Sequence, residues 1–182
     1  RDGKEYFCLM ISGPIRSAGT TITCGSILVA DYIRKKMGYS AYDPTEDEIK
    51  RAIVELYDYH EKVTNLQYLP SEGEIAFMIK NLPVQIDGDP SEKWDVSNYK
   101  DLQRIETNRL RNGFCLVTGE ALCQKAVKFW GKINKFYKEY DLEQWSFLED
   151  FLKLQKKVKA HEKKEENTEQ KLKPDFTYIK DL

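Results

Sequence analysis

Gly13 and Gly19 enclose a short loop whose residue types suit the binding of a phosphate group. A glycine loop that opens a helix presents free backbone N–H groups and the positive end of the helix dipole, and Arg16 adds a fixed positive charge. Five residues separate the glycines where a nucleotide-triphosphate loop has four, and Thr20 stands in place of its lysine. Two interpretations stay open. The loop is an anion site that uses Arg16, Ser17 and Gly19, or it is a tight turn with Ser17 or Thr20 as a helix cap.

Four lysines lie on one face of a predicted helix. Spacings of three, four and three residues keep them together, opposite a row of apolar residues. Like charges at these spacings cost about a few tenths of a kcal/mol each, so a partner should favour them. A nucleic-acid backbone fits, because lysines that bind phosphates release counterions, and a solvated face is the alternative. The four are Lys125, Lys128, Lys132 and Lys135.

Three arginines lie in residues 102–111, which we predict to be a β-strand. Because side chains alternate along a strand, Arg104 shares one face with Glu106, whereas Arg109 and Arg111 share the other. The first face could hold an internal ion pair, and the second could offer two guanidinium groups to phosphates or bases. A structural ion pair that holds a sheet edge is an equally good interpretation.

The sequence contains no evident set of side chains for covalent or metal chemistry. Asp87 and Asp89 lie in a turn-forming stretch, which favours an Asx turn over a two-metal site. His60 lies on the apolar face of its helix and is predicted to pack in the core. The four cysteines form no Cys-x-x-Cys pair, so we expect reduced, mostly buried thiols and no zinc site. We therefore expect neither catalytic residues nor a cofactor in this segment.

The composition is that of a globular protein of one domain. The chain has 182 residues, of which 41% are hydrophobic and 12% aromatic. The longest apolar run, residues 6–11, is far shorter than the ~20 residues of a membrane helix, and we expect no secretory signal peptide. We expect a cytoplasmic protein without a membrane partner. The first residue is not Met, which suggests a fragment.

Charge is distributed unevenly along the chain. Residues 40–99 contain 13 acidic and 5 basic residues, whereas residues 100–138 contain 9 basic and 3 acidic ones. A chain with a net charge of −1 can therefore still present one basic face to a polyanion.

The hydrophobic pattern predicts that the chain opens with a strand, a loop and a helix. Residues 6–11 are apolar at every position, as in a strand that is covered on both faces. Helical spacing then runs from about Thr20 to Met37, and Gly38 is a natural helix end. The predicted apolar positions of this helix are Ile22, Ile27, Val29, Ala30, Ile33 and Met37.

Capping signals predict the next two helices. Thr45 with Glu48, and Ser71 with Glu74, are capping boxes. Two short extended pieces between residues 84 and 96 flank a turn, which predicts a hairpin.

The last third of the chain is predicted to be mainly helical. One helix should run from about Thr118 to Tyr137 after an Asn112-Gly113 turn, and Asp141 should cap another. The Lys/Glu-rich residues 156–171 indicate a helix end that passes into a mobile linker, and residues 174–182 indicate a last strand. The order predicts an α/β (α+β) layered domain, with a small sheet packed by helices and a helical C-terminal extension.

Several strings, in this order and spacing, resemble the N-terminal region of the large subunit of archaeal D-family DNA polymerases. The resemblance covers about residues 5–150 and the tail 173–182. The strings are ISGPIRSAGT (11–20), VADY (29–32), DPTE (43–46), QYLPS (67–71), IDGDP (86–90) and RIETNRLRNG (104–113).

The resemblance implies a replicative DNA-directed DNA polymerase whose large subunit pairs with a small 3′–5′ exonuclease subunit. It implies that magnesium-binding aspartates and zinc modules lie downstream of this segment. It further implies a KH-like α/β accessory domain at residues 1–138, a packing helix at 139–160, and a charged linker and terminal strand at 161–182 that lead toward the catalytic core. Thr20 departs from the family, in which a second glycine is usual, and its Cβ restricts close phosphate approach.

Two hypotheses of different classes follow. In one, the segment is a scaffold that docks the rest of the large subunit or the small exonuclease subunit through residues 40–99 and the apolar tail 176–179. In the other, it is a non-catalytic, DNA-facing module. The candidate DNA contacts are Arg16, Ser17, Gly19, Arg104, Arg109, Arg111, Lys125, Lys128, Lys132 and Lys135.

Overall fold

The computed structural model describes residues 3–12 and 20–171, with the backbone alone at residue 20 and from residue 162 onward. A π-helical segment joins the fourth helix to the fifth, and two short 3-10 helices precede the sixth. The elements are β1 (Cys8–Ile11), α1 (Thr20–Lys36), α2 (Glu46–Lys62), α3 (Glu72–Asn81), β2 (Gln85–Gly88), α4 (Asn112–Leu116), the π segment (Val117–Cys123), α5 (Gln124–Ile133), the 3-10 helices (Tyr137–Tyr140 and Glu143–Ser146) and α6 (Phe147–Lys171). The predicted mixed α/β class is confirmed.

Both predicted capping boxes form. The Thr45 hydroxyl accepts a hydrogen bond from the Glu48 N–H, and the Glu48 carboxylate accepts one from the Thr45 N–H at 2.7 Å. Ser71 and Glu74 make the same reciprocal pair at the start of α3. Gly38 follows α1 with a φ of +77°, a left-handed conformation that ends a helix at little steric cost in glycine.

The two strands pair in parallel, so the hairpin predicted between residues 84 and 96 is wrong. Cys8 lies opposite Gln85 and Ile11 lies opposite Gly88, and three helices separate the strands along the chain. The expectation that β1 is covered on both faces is also wrong. Cys8 and Met10 are exposed, whereas Leu9 and Ile11 point inward, because the helices of the described chain cover one face of this small sheet.

A continuous helical run from α4 through the π segment to α5 forms the centre of the fold. All seven residues of the π segment are buried, and α1 and α3 pack against it. A Cβ at Gly119 would lie 3.2 Å from the carbonyl oxygen of Tyr68, so glycine permits the loop before α3 to approach closely. The run begins six residues before the predicted Thr118 and ends at Ile133, short of the predicted Tyr137.

The last helix differs from its prediction at both ends. Asp141 does not cap it, because Asp141 has a left-handed φ of +56° and α6 begins at Phe147, after the 3-10 helix Glu143–Ser146. The backbone remains helical through Lys171, where we predicted a linker. The predicted strand at 174–182 lies outside the described residues.

Candidate nucleic-acid interface

Three of the four lysines predicted to share a helix face lie on α5 and the fourth lies in the turn after it, and we call the four the lysine row. Ala126, Phe129, Trp130 and Ile133 are buried against the core, as the sequence predicts. Lys125 is half-buried, whereas Lys128, Lys132 and Lys135 are exposed. Lys135 lies just beyond the end of α5 at Ile133, so three of the four are helical.

The lysine row has no carboxylate partner among the residues that the structure describes. The lysine ion pairs found there involve Lys36, Lys62, Lys100 and Lys153. An exposed cation without an internal partner keeps its hydration and its counterions, and these are what a phosphate can displace. The row therefore presents cationic groups that a nucleic-acid backbone can contact.

Arg111, by contrast, is an internal residue. Its side chain is 1% exposed, and its guanidinium donates to Glu55 at 2.6 Å and to Asp87 at 2.7 Å. Burial alone would lower the pKa of Arg111, but the two carboxylates more than offset this effect and raise it. Arg111 stabilises the junction of α2, β2 and α4, so we no longer treat it as a DNA contact.

Arg51 extends this network to the loop that precedes Arg111. It pairs with Glu55 at 3.1 Å and donates hydrogen bonds to the carbonyl oxygens of Tyr99, Thr107 and Arg109. The sequence analysis missed both Arg51 and Glu55. Their i,i+4 spacing on α2 was a signal for an ion pair, but not for its burial.

Arg104 also has a structural role, as its ion-pair interpretation allowed. Its guanidinium pairs with Glu48 at 2.6 Å and with Asp43 at 3.3 Å, and it lies over the Tyr6 and Tyr42 rings. The prediction that Arg104 forms an internal ion pair is confirmed, but the predicted partner, Glu106, is wrong. These contacts leave Arg104 little capacity for a phosphate.

Arg109 is the exposed member of the arginine run. The strand predicted at 102–111 is absent from the described structure, in which a single antiparallel bridge joins Asp95 to Arg109. The Asp95 carboxylate pairs with Lys100 at 3.5 Å, and no ion pair of Arg109 is found among the described residues. Arg109 remains a candidate DNA contact.

The glycine loop with Arg16, Ser17 and Gly19 lies outside the described residues. Its surroundings are defined at one end, because Ile11 and Gly88 end the parallel strands at the same edge. A Cβ on Gly113 would lie 2.5 Å from the Ile11 carbonyl oxygen, so only glycine lets the start of α4 pack against this edge. Whether the loop shares a surface with the lysine row stays a prediction.

Side chains that could suggest catalysis have structural contacts. His60 Nδ1 accepts a hydrogen bond from the Leu66 N–H, and Asp87 accepts one from the Gly88 N–H in addition to its Arg111 pair. Cys24, Cys115 and Cys123 are buried free thiols and Cys8 is exposed, so the thiols are mostly buried, as predicted. No group of three or more metal-ligating side chains lies together in residues 3–12 and 20–161.

No helix in the part of the chain with assigned structure has the length and apolar character needed to span a membrane.

Comparison with known proteins defines the class as the N-terminal region of a DNA polymerase large subunit. The matching family model is described as "DNA polymerase II large subunit DP2, N-terminal" and covers residues 1–154. The chain belongs to this family, which confirms the resemblance seen in its sequence.

Individual relatives extend this match. The chain is 52% identical over 160 residues to the DNA polymerase II large subunit of Nanoarchaeum equitans (strain Kin4-M), a match over 88% of this chain and 13% of that protein. It is 41% identical over 181 residues to the large subunit of Methanosarcina barkeri, a match over 15% of that protein. It is 40% identical over 181 residues to the large subunit of Methanothermobacter thermautotrophicus, a match over 16% of that protein. The matched region is therefore a small part of these relatives.

Proposed function

We propose that this segment is a non-catalytic, DNA-facing accessory module of the large subunit of a replicative DNA-directed DNA polymerase. The observation that carries the proposal is the lysine row, whose exposed cations have no described carboxylate partner. The family membership indicates that the bound nucleic acid is DNA, since a polymerase subunit works on DNA. Polymerisation in complex with a small 3′–5′ exonuclease subunit, and the magnesium and zinc that it would use, belong to parts of the assembly outside this chain.

The chemistry of the row predicts binding to backbone rather than to sequence. Lysine ammonium groups are flexible point charges that suit phosphate oxygens, whereas base recognition usually uses bidentate arginine, asparagine or glutamine contacts. The fixed arginines Arg104 and Arg111 are engaged internally. We therefore expect weak, salt-dependent binding with little sequence preference.

We keep the KH-like comparison as part of this proposal. A βα opening and a small sheet packed by helices support it, and the described sheet has two parallel strands. In this interpretation the glycine loop with Arg16 would be a second phosphate contact.

Fluorescence anisotropy with labelled primer–template DNA at several salt concentrations tests the lysine row. Reversing Lys128, Lys132 and Lys135 to Glu should lower affinity, and the slope of log K against log salt should fall by about 0.7–0.9 per lost contact. The matched control reverses three exposed lysines of α6, namely Lys156, Lys157 and Lys159.

The control keeps the same change in net charge, so it separates a local contact from overall repulsion. We expect the control to retain most of the salt dependence. Equal loss of affinity in the two triple variants would contradict a phosphate contact at the row.

The alternative function is a docking scaffold that uses the acidic residues 40–99. The structure supports it less than the composition of this stretch suggests. Five of the carboxylates in residues 40–99 are buried and serve the fold, so the acidic surface is smaller than the residue count implies. They are Glu48, Glu55, Asp58, Glu74 and Asp87. A different surface, on α1, provides a specific observation in favour of docking.

A further inference from the structure

The outer face of α1 is apolar and exposed. Ile22, Val29, Ile33 and Met37 are between 43% and 72% exposed, although the sequence predicted all four as apolar positions of an amphipathic helix. The first three are seven and four residues apart, which places them in one stripe along the helix. We call these four residues the α1 stripe.

The packed face of α1 is a different one, so the stripe is not the misplaced core face of the helix. Cys24, Ile27, Leu28 and Ala30 are buried against the π segment and α5. The helix therefore has two apolar faces, one used within this fold and one left open. A helix that is apolar on most sides is usually buried on most sides.

A shallow groove runs beside the stripe. Gly25, Val29 and Tyr32 of α1 form one side, and Phe136, Tyr140 and Leu142 form the other. The aromatic rings support each other, since Tyr140 meets both Tyr32 and Phe136 edge to face. A Cβ on Gly25 would meet no atom within 4 Å, so the groove has open space beside this residue.

The charged groups at this groove are the carboxylate of Glu139, which lines it, and two lysines of α1 that have contacts within the fold. Lys36 pairs with Asp141 at 3.7 Å and lies 5.3 Å from the centre of the Tyr32 ring, and Lys35 donates to the Asp141 carbonyl oxygen. The remaining lining is aliphatic and aromatic, and the Glu139 carboxylate repels phosphates, so the surface suits a row of apolar side chains and not a phosphate backbone.

We propose that the α1 stripe and its groove dock an amphipathic helix from the remainder of the same large subunit. The matched region is 13–16% of the relatives, so most of such a subunit lies outside this chain. A helix tethered on the same chain needs only a modest apolar contact, because the tether keeps its effective concentration high. This inference goes beyond the DNA contact proposed above and does not depend on it.

Photo-crosslinking in the full-length large subunit tests the occupant. Benzoylphenylalanine placed at Val29 should crosslink, in the subunit alone and in the complex with the small subunit, to a peptide of the same chain beyond this region. The control position is Val127, which is 64% exposed on α5 and lies outside the stripe. A crosslink confined to the small subunit, a crosslink between two copies of this chain, or a yield at Val29 no higher than at Val127 would each overturn the proposal.

A paired substitution distinguishes docking from folding. Val29→Glu with Ile33→Glu should increase hydrogen exchange of α1 in the full-length subunit and leave the unfolding midpoint of the 182-residue segment nearly unchanged, since both side chains are exposed in it. The proposal would be overturned if the paired substitution increased hydrogen exchange of α1 equally in the 182-residue segment and in the full-length subunit. The measurement does not involve DNA, so failure of the docking proposal can be distinguished from failure of the DNA contact proposed for the lysine row.

Discussion

Glu55 and Arg111 meet in the interior of the protein, with Oε2 and Nη2 2.6 Å apart and neither side chain more than 1% exposed. Arg51 and Asp87 complete the cluster, so two arginines face two carboxylates. Such a cluster is neutral as a set, but each member depends on the others because water cannot replace a lost partner. The cluster joins α2, β2 and α4.

Removing one member should therefore destabilise the fold strongly. Arg111→Met leaves Glu55 paired with Arg51 alone and removes the arginine partner of the buried Asp87, so we expect a loss of about 3–5 kcal/mol in the free energy of unfolding. Urea denaturation followed by circular dichroism measures this. The control, Arg109→Met, changes an exposed arginine two positions away and should cost less than about 0.5 kcal/mol. Comparable losses in both variants would show that the cluster has no special role.

A substitution at Thr118 should stabilise the fold instead of destabilising it. Its hydroxyl is fully buried in the π segment and has no hydrogen-bond partner among the residues that the structure describes. Thr118→Val replaces that hydroxyl with a methyl group of similar size, which should raise the free energy of unfolding by about 1 kcal/mol. The same substitution at Thr45 removes the α2 cap and should lower it by about 1 kcal/mol. A destabilised Thr118→Val variant would mean that the hydroxyl has a partner, such as a buried water.

Glu74 should make the stability depend on pH in the acid range. Burial alone would raise its pKa, but hydrogen bonds from Tyr68, Ser71 and Gln155 outweigh burial and hold the pKa below the ordinary 4.5. A lowered folded-state pKa contributes stability above pH 4.5, and this contribution disappears as the pH falls through the folded value.

Glu74→Gln tests this dependence through unfolding curves between pH 7 and pH 3. We expect the variant to be less stable at pH 7 by about 2 kcal/mol, since several bonds to a charged group are lost. The difference from the original protein should shrink below pH 4.5. The control is Glu72→Gln, an exposed carboxylate of the same helix turn, with a change below about 0.5 kcal/mol. A difference that stays constant down to pH 3 would argue against an ionised Glu74.

Cys8 should be the one thiol that reagents reach in the native protein. Cys24, Cys115 and Cys123 are buried and Cys8 is exposed. Loss of hydration and the nearby Asp87 carboxylate raise the pKa of Cys8 to about 11. The thiolate reacts, so the rate should rise about tenfold per pH unit from pH 7 to 10. Iodoacetamide labelling with mass spectrometry measures the number of labelled thiols and the labelling rate. A second thiol labelled at the same rate would contradict the prediction and would place one of the buried cysteines nearer the surface.

Local signals in the sequence were sufficient for several helices. The capping boxes at Thr45 and Ser71 are formed by residues three apart, so the pattern and the bond coincide. The buried face of α5 also follows from periodicity, and with it the position of the lysine row. These features depend on neighbours along the helix, which a sequence shows directly.

Long-range contacts explain what the sequence could not predict. The partners of Arg111 lie 24 and 56 positions away, so its type and spacing suggested a surface residue as readily as an internal one. The strand predicted at 102–111 is wrong, because Arg51 binds two carbonyl groups of this stretch, those of Thr107 and Arg109, and a third at Tyr99 just before it, which holds the chain in a loop conformation. The same loop contains Tyr99 and Asp101 with left-handed φ angles of +54° and +57°.

The π segment also sets the rotational phase of α5 relative to α4. Hydrogen bonds in a π-helix span five residues where those of an α-helix span four, so Val117–Cys123 accommodates an extra residue between two regular helices. One residue corresponds to about 100° of rotation in an α-helix. If this segment tightened to regular α geometry, the ammonium groups that now face outward would turn by about a quarter of the helix circumference, and the packing around Trp130 would have to turn with them.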